Sequence, residues 1–583
     1  MSNHARLLTL IMMATTSFFI IAFQINYNQY GLDFTDEGFY LNWVSNPYLY
    51  SYSVTQFGFV LNPIFEFLER DLVLFRIVSN VISFILMGVL SFLLMAPSYD
   101  SGKMSKSERI IFSFGISSIA ITSVAMGNLW LATPSYNSLT LQTILLVLIG
   151  LSTFRINRFH PVALLSISLG LTVLFLSKGT SFLLLSITIL IYFSCLKEFK
   201  FLVKIFIVSI VFLLASAYLI DGSVSQFVKR VINGLLILKA LGAGHSENLF
   251  ALEPLLYSIY EVKLFFSTVI MTSFLFLLPK ILKAWGEVIC YILGTTIVIF
   301  LLVNVDEGYS GTELQGLFLL AVPISSLLLL YAFKYLFKKN SNDILPIDWK
   351  LFIVLLVSPY IYSFGTNNNV WSMAAGASYL WLLSGLIILQ ALSHRKLIPL
   401  IIVSQVFTAF YLHVSVNNPY RQSQPLYMHL NSVQFKKDDI EIKVDEATES
   451  YILELKATRE LVPKGVPILD FTGRVPMSVY LLNGKAIGTP WLLTNTKKFF
   501  FENMKSIDCG ELSRSWLITE PTSARALPTT YTKFFGKKFP EDFELMKKIN
   551  IHFDHNGNSA NSAQYLYRPR YVESNCEYFD LSF

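Results

Sequence analysis

Three carboxylates fall within five residues of the stretch "GLDFTDEGFYLNW": Asp33, Asp36 and Glu37. They follow an apolar run that begins near Leu7, at the point where a membrane span ends. Phe34, Phe39, Tyr40 and Trp43 interleave with them. Such surroundings imply partial burial, and burial raises a carboxylate's pKa towards values useful for a general base. A loop outside the membrane also needs polar residues, and acids there do little to set orientation. The second reading is the plainer one, and composition alone does not separate the two.

Other polar residues stand at the ends of apolar runs. Lys178 lies between "TVLFLS" and "GTSFLLL". An ammonium with so little polar cover is a functional candidate, or a lysine that snorkels to water. Tyr136 and Asn137 either bind a polar ligand or start a helix. Asn367, Asn368 and Asn369 either hydrogen-bond a sugar or cap a turn. A second "DEG", Asp306 to Gly308, echoes Asp36 to Gly38. His245 is a lone loop histidine. No ligand spacing for a metal is visible, so no cofactor is expected; a divalent metal stays open but nothing indicates one.

The elements that must position these residues are membrane helices. Of 583 residues 54% are hydrophobic and 14% charged, against about 25% charged in soluble domains. Apolar runs of about 17–22 residues suit helices, which satisfy their own backbone groups in lipid. Spans are expected near 7–26, 73–95, 110–127, 137–154, 161–177, 180–196, 202–220, 264–279, 288–304, 313–334, 350–364, 375–391 and 397–414. That is about thirteen. The first is read as retained, not as a cleaved signal peptide. The connections "SGKMSKSER", "RINRFH", "KEFK", "PKILKAW", "KYLFKKNSND" and "SHRK" are basic. With a cytoplasmic N-terminus they all fall on the cytoplasmic side, as the positive-inside rule asks. The acidic cluster then faces outward, as do loops 178–179 and 365–374 and the chain after Ser415. The net charge of +6 is a topology signal, and no nucleic acid is expected as a partner.

The expected architecture is an all-α polytopic membrane protein with a small extracytoplasmic α/β domain. Residues 1–414 form the multi-span part, with 27–72 as a long first external loop. Residues 415–583 form the outer domain. "NPIFEFLERDLVLF" and "FVKRVINGLLILKAL" read as amphipathic helices lying on the membrane. In the outer domain "VPILDF" and "SVYLLN" read as strands and "EATESYILELKATREL" as a helix. Cys509 and Cys576 lie there and either pair or stay as thiols. Cys195 and Cys290 fall in spans.

An Asp-Glu pair just after the first span resembles the GT-C superfamily of membrane glycosyltransferases. The nearest likeness is to the branch holding protein O-mannosyltransferases and the aminoarabinose transferase of lipid A. That likeness covers the architecture, while its motifs are short. It implies a polyprenyl-phosphate sugar as donor. It also implies a glycan, lipid or protein acceptor outside the cytoplasmic membrane. Asp36 and Glu37 match the family's acidic pair, with Asp36 as general base; Asp33 has no counterpart. "WLATPSYNSLT" resembles a Pro-x-Tyr-Asn segment and carries Tyr136 and Asn137. "FLSKGTSFL" resembles a Lys-Pro element, but Gly179 stands where the family has Pro, which leaves the match of Lys178 incomplete. "SFGTNNN" resembles a polar external loop. Arg76, in "LVLFRIVSN", stands where relatives carry a basic residue. A lipid phosphate needs a cation at the interface, and Lys178 and Arg76 both stand at outer span ends. No P-loop is present, consistent with a donor that is not a nucleotide sugar. Two rivals remain: a polysaccharide polymerase or ligase using lipid-linked oligosaccharide, and a non-enzymatic lipid-sugar transporter.

Overall fold

The computed structural model describes residues 3–100, 115, 118–123, 131–157, 160–241, 259–281, 283–304, 315–336, 346–366, 370–392, 397–436, 439–493, 497–553 and 559–572. The helices α1 (Asn3–Tyr27), α2 (Asp36–Ser45), α3 (Phe57–Phe67) and α4 (Leu72–Asp100) come first. Next are α5 (Tyr136–Ile156), α6 (Pro161–Ser177), α7 (Gly179–Leu196), α8 (Phe199–Asp221) and α9 (Val224–Leu241). The bundle continues through α10 (Ile259–Ile281), α11 (Lys283–Val303), α12 (Ala321–Tyr331), α13 (Trp349–Ser363), α14 (Val370–Ala374), α15 (Tyr379–Leu392) and α16 (Leu397–Asn417).

Among the described residues eight helices are long and apolar enough to cross a membrane. A pair bent by 61°, Val370–Ala377 with Tyr379–Leu392, makes a ninth. Hydrophobic runs alone lead one to expect about thirteen. Pro161–Ser177, Val288–Val303 and Trp349–Ser363 fall on expected spans but are shorter, and the expected span 110–127 lies mostly outside the described residues. The long apolar helices support the multi-pass class.

Burial sorts the helices. The apolar windows of α5 and α16 are 78% buried within the protein, whereas that of α8 is 17% buried. The first two are therefore central, and α8 turns Phe206, Val211 and Leu219 outward. Small residues bring α5 and α6 together. A Cβ on Gly150 would lie 2.5 Å from Ile167 Cγ1, and one on Gly170 2.6 Å from Val147 Cγ2. Close approach of this kind maximises packing contacts where lipid supplies no hydrophobic drive.

The expected amphipathic segment "FVKRVINGLLILKAL" lies within α9, but "NPIFEFLERDLVLF" is split: Asn62–Phe67 closes α3, Leu72–Phe75 opens α4, and Glu69 and Arg70 between them are left-handed. In α3, Phe57, Leu61 and Phe65 are buried on one face. In α9 the exposed residues Val228, Ile232, Leu235 and Leu236 recur at helical spacing. On its other side Arg230 pairs with Asp221 at 2.6 Å and donates to the Tyr50 carbonyl.

The C-terminal part is α/β. Strands β1 (Asn431–Val433) and β2 (Ile442–Val444) form an antiparallel pair. Helix α17 (Glu446–Arg459) follows, capped by the Asp445 carboxylate, which accepts from Thr448 N. A five-stranded sheet then holds β3 (Pro467–Asp470), β4 (Lys485–Ala486), β5 (Trp516–Thr519), β6 (Phe543–Phe553) and β7 (Ser559–Pro569). Its order is β4-β3-β5-β7-β6. The first three strands are parallel and the last two antiparallel to their neighbours.

"VPILDF" and "EATESYILELKATREL" adopt the expected states, but "SVYLLN" does not. It lies largely in α18 (Pro476–Leu481), started by Pro476 at its first position. Nearly all of this short helix is buried, so its apolar run has no period to separate helix from strand. Cys509 is disulfide-bonded; Cys576 lies outside the described residues. Cys195 and Cys290 are free.

The first loop and the sheet share one core. Gly31 N donates to the Lys443 carbonyl, and Met477 N to that of Phe34. The Phe34 ring packs against Tyr451 and Phe553. Residues 27–72 are thereby sandwiched between the helices and the C-terminal sheet.

Candidate functional site

The acidic stretch forms the entry to α2. Gly31 turns the chain with φ of +77°, a conformation that glycine adopts without strain. Asp33 and Glu37 then cap each other. Glu37 N donates to Asp33 Oδ2 at 3.1 Å, and Asp33 N donates to Glu37 Oε2 at 2.9 Å. Thr35 Oγ1 adds bonds to both oxygens of Asp33 at 2.8 Å. This reciprocal pairing satisfies amide groups that a helix start leaves open.

The three acids end in different environments. Asp33 is buried, and burial followed by the Asp36 charge pushes its carboxyl above the usual range. Glu37 is sealed completely and meets Arg76 Nη2 at 2.6 Å. Thr133 Oγ1 also donates to Glu37. Asp36 alone is partly open, with 28% of its side chain exposed. Tyr420 Oη donates to its Oδ2 at 2.8 Å, and Arg421 Nη1 lies 3.3 Å from the same oxygen. Its other oxygen, Oδ1, has no hydrogen-bond partner among the described residues.

Arg76 does not stand free at the interface. Nε donates to Thr133 Oγ1, Nη1 to the Asn28 carbonyl, and Nη2 to the Gly31 carbonyl, each at 3.0 Å. With Glu37 added, all its nitrogens are engaged. The phosphate role expected of Arg76 does not suit that geometry; the residue fixes the turn instead. Glu37, expected beside Asp36 in catalysis, is the other half of this ion pair.

On the helix side Tyr136 sits at the first turn of α5, close enough to feel the Asp36 charge. Its ring packs edge-on to Tyr40 at 6.0 Å between centroids. Ser135 caps this helix, which fixes where Tyr136 and Asn137 emerge. Asn137 Oδ1 is buried with no hydrogen-bond partner among the described residues. Tyr136 in turn neighbours Tyr362. Lys178, in the break between α6 and α7, donates from Nζ to the Tyr362 carbonyl at 2.7 Å and lies 5.7 Å from that ring's centre. It points inward to α13, unlike a snorkelling lysine. Asp36, Tyr136, Tyr362 and Lys178 therefore lie in one neighbourhood at this end of the bundle.

Asn367, Asn368, Asn369, the second "DEG" and His245 lie outside the described residues. Among the described residues no group of His, Cys, Asp or Glu could hold a metal ion. Sequence reasoning missed Thr133, Tyr362, Tyr420 and Arg421. The last two stand in "NNPYRQ" just after the final span, and an aromatic–basic pair there was a signal open to use. No family model matches the chain, and no curated protein is similar to it.

Proposed function

We propose that this chain is a membrane glycosyltransferase that takes sugar from a polyprenyl-phosphate donor. The acceptor is an envelope glycan, lipid or protein on the outer side of the cytoplasmic membrane. The observation that carries this reading is the state of Asp36. Among the described residues it is the one acid of the cluster with an unengaged oxygen and solvent access, in the same neighbourhood as Tyr136, Tyr362 and Lys178.

Chemically the step is an inverting displacement. The acceptor hydroxyl or amine passes its proton to Asp36 Oδ1. Its heavy atom bonds to the anomeric carbon, and the bond from that carbon to the phosphate oxygen breaks. The polyprenyl phosphate leaves with the electron pair, and the Lys178 ammonium balances the charge that develops. Tyr420 and Arg421 hold Oδ2, so Oδ1 keeps one direction. Glu37 and Arg76 never touch substrate; they fix the turn from which Asp36 projects.

The test compares extracted lipids and glycans, by mass, from cells carrying the wild-type gene, no gene, or Asp36→Asn. An amide cannot take a proton, so transfer should fall by about 10²–10⁴-fold. The Asp36→Asn profile should match the gene deletion while protein level and melting stay unchanged. A profile indistinguishable from wild type would remove Asp36 from the chemistry.

A further inference from the structure

The successive helices α6, α7 and α8 leave a recess of about 530 Å³ between them, with an almost wholly apolar wall. Leu171 and Phe175 of α6, Phe182 and Leu190 of α7, and Leu202 and Leu213 of α8 mark its extent. Thr172 also lines it, but its Oγ1 donates to the Ser168 carbonyl at 2.9 Å. Leu190, Val203, Phe206 and Ile210 of the wall are exposed, so the recess opens sideways. Helices α7 and α8 are each long and apolar enough to cross a membrane, and the opening is therefore on the bilayer side. An apolar recess stays dry, so in a bilayer a hydrocarbon chain fills it.

Its two ends differ. Ser168 Oγ donates to the Ile205 carbonyl, and Thr172 Oγ1 lies 3.4 Å from that of Ser209. Helices α6 and α8 therefore run in the same direction. Phe193 near the end of α7 meets Phe201 near the start of α8 at 5.4 Å between centroids, so α7 runs against them. Measured from the start of α8, the wall rises from ~5 Å at Leu202 to ~21 Å at Leu213. The recess thus begins close to the basic end and spans about half of a ~30 Å hydrocarbon core, the reach of one leaflet's chain. Its far end is shut. Phe175 and Phe182 meet edge-on at 5.3 Å between centroids, and Phe175 and Leu213 pack against the cluster of Leu176, Ala217 and Phe227. At the open end Lys197, Lys200 and Lys204 are exposed, and their side chains make no hydrogen bond or ion pair among the described residues. Lysines at a membrane surface attract anionic headgroups, and their long stems reach along the interface.

We propose that the recess holds one acyl chain of an anionic glycerophospholipid from the leaflet at the basic end, with Lys197, Lys200 and Lys204 drawing its phosphate. Lys178 stands beyond the shut end, and its Nζ is turned to the Tyr362 carbonyl of α13. A lipid whose phosphate meets Lys178 therefore enters from the opposite end, and the recess is separate from the candidate site. Nothing in this assignment depends on sugar transfer.

The experiment delipidates the purified full-length protein in detergent and adds phosphatidylglycerol or phosphatidylcholine, counting bound lipids by native mass spectrometry. Wild type should take its first phosphatidylglycerol at least about tenfold more tightly than phosphatidylcholine, as attraction to three lysines requires. The triple variant Lys197→Gln, Lys200→Gln, Lys204→Gln should lose that preference. Ser186→Phe and Ile210→Trp place bulk in the wall and should each weaken the first phosphatidylglycerol about tenfold or more. Leu219→Phe, exposed on α8 outside the recess, should bind as wild type does. Melting temperatures accompany every variant. Wild-type protein without a preference for phosphatidylglycerol would overturn the headgroup assignment. A filling variant that melts like wild type and binds phosphatidylglycerol equally well would overturn the recess as the chain's site. Should one filling variant melt early, the other and the exposed lysine triple decide. If a polyprenyl phosphate displaces phosphatidylglycerol from wild type and Ser186→Phe abolishes its binding, the recess belongs to that lipid and the phospholipid assignment fails.

Discussion

Glu37 and Arg76 are sealed from water, with side-chain exposures of 0% and 3%. A buried ion pair contributes little net stability against an apolar pair, but breaking one half leaves a charge without compensation. Arg76→Met should therefore destabilise the protein by about 3–5 kcal/mol. Adding Glu37→Gln should recover part of that loss, because the orphaned charge is gone. Thermal unfolding in detergent measures both; strictly additive losses would show that the two residues do not act as a pair. Asp36 should behave in the opposite way. Its pair with Arg421 is longer and partly solvated, which is worth about 0–1 kcal/mol, so its removal affects transfer and not melting. The sequence shows that the acids are clustered and lie among aromatics. It does not show which is buried, because that depends on Arg76, 39 residues away from Glu37, returning to the turn. Lys178 was legible for a simple reason: an ammonium in an apolar run must find a partner, and it finds the Tyr362 carbonyl.

At the scale of elements, the seat of α2 on α18 sets the direction of Asp36. Asn42 Nδ2 donates to the Pro476 carbonyl at 2.8 Å. A Cβ on Gly38 would lie 2.3 Å from Met477 N and 2.7 Å from its Cα. These are backbone atoms of a buried helix, so no rotamer change relieves the clash. Gly38→Ala should push α2 from α18, destabilise the protein by about 1–3 kcal/mol, and lower transfer by shifting the turn before it. Unchanged melting together with unchanged transfer would mean that this seat is not formed. The three residues of the motif "DEG" thus differ in what they do. Asp36 is an open carboxylate, Glu37 completes a buried ion pair, and Gly38 permits a close approach. The long helices and the α17 and β3 segments were legible from hydrophobic runs and periodicity. The helix α18 was not, because a stretch of six residues of which all but Tyr480 are buried carries no pattern that favours one state. The joint core of the first loop and the C-terminal sheet was also not legible, since contacts such as Phe34 with Phe553 join distant parts of the chain.

The whole molecule separates two kinds of polar residue along the bundle. Helix α5 has 21 residues and spans roughly 30 Å, about the thickness of the hydrocarbon core. Tyr136 at its start belongs to the candidate site. Arg155 near its end lies 3.5 Å from Asp348, and nearby Lys350 donates to the Cys195 carbonyl. Arg155, in the basic connection that follows this helix, and the site are therefore at its opposite ends. The proposed orientation, with the basic end towards the cytoplasm as the positive-inside rule asks, has Asp36 and the C-terminal sheet outside. A single experiment reads this orientation. In a Cys195→Ser background, cysteines are introduced at the exposed positions Asn157 and Glu541 and treated in intact cells with a membrane-impermeant thiol reagent. Glu541→Cys should react before lysis, and Asn157→Cys only after it. The reverse pattern would turn the site towards the cytoplasm, where a lipid-linked sugar displayed on the outer face could not reach Asp36.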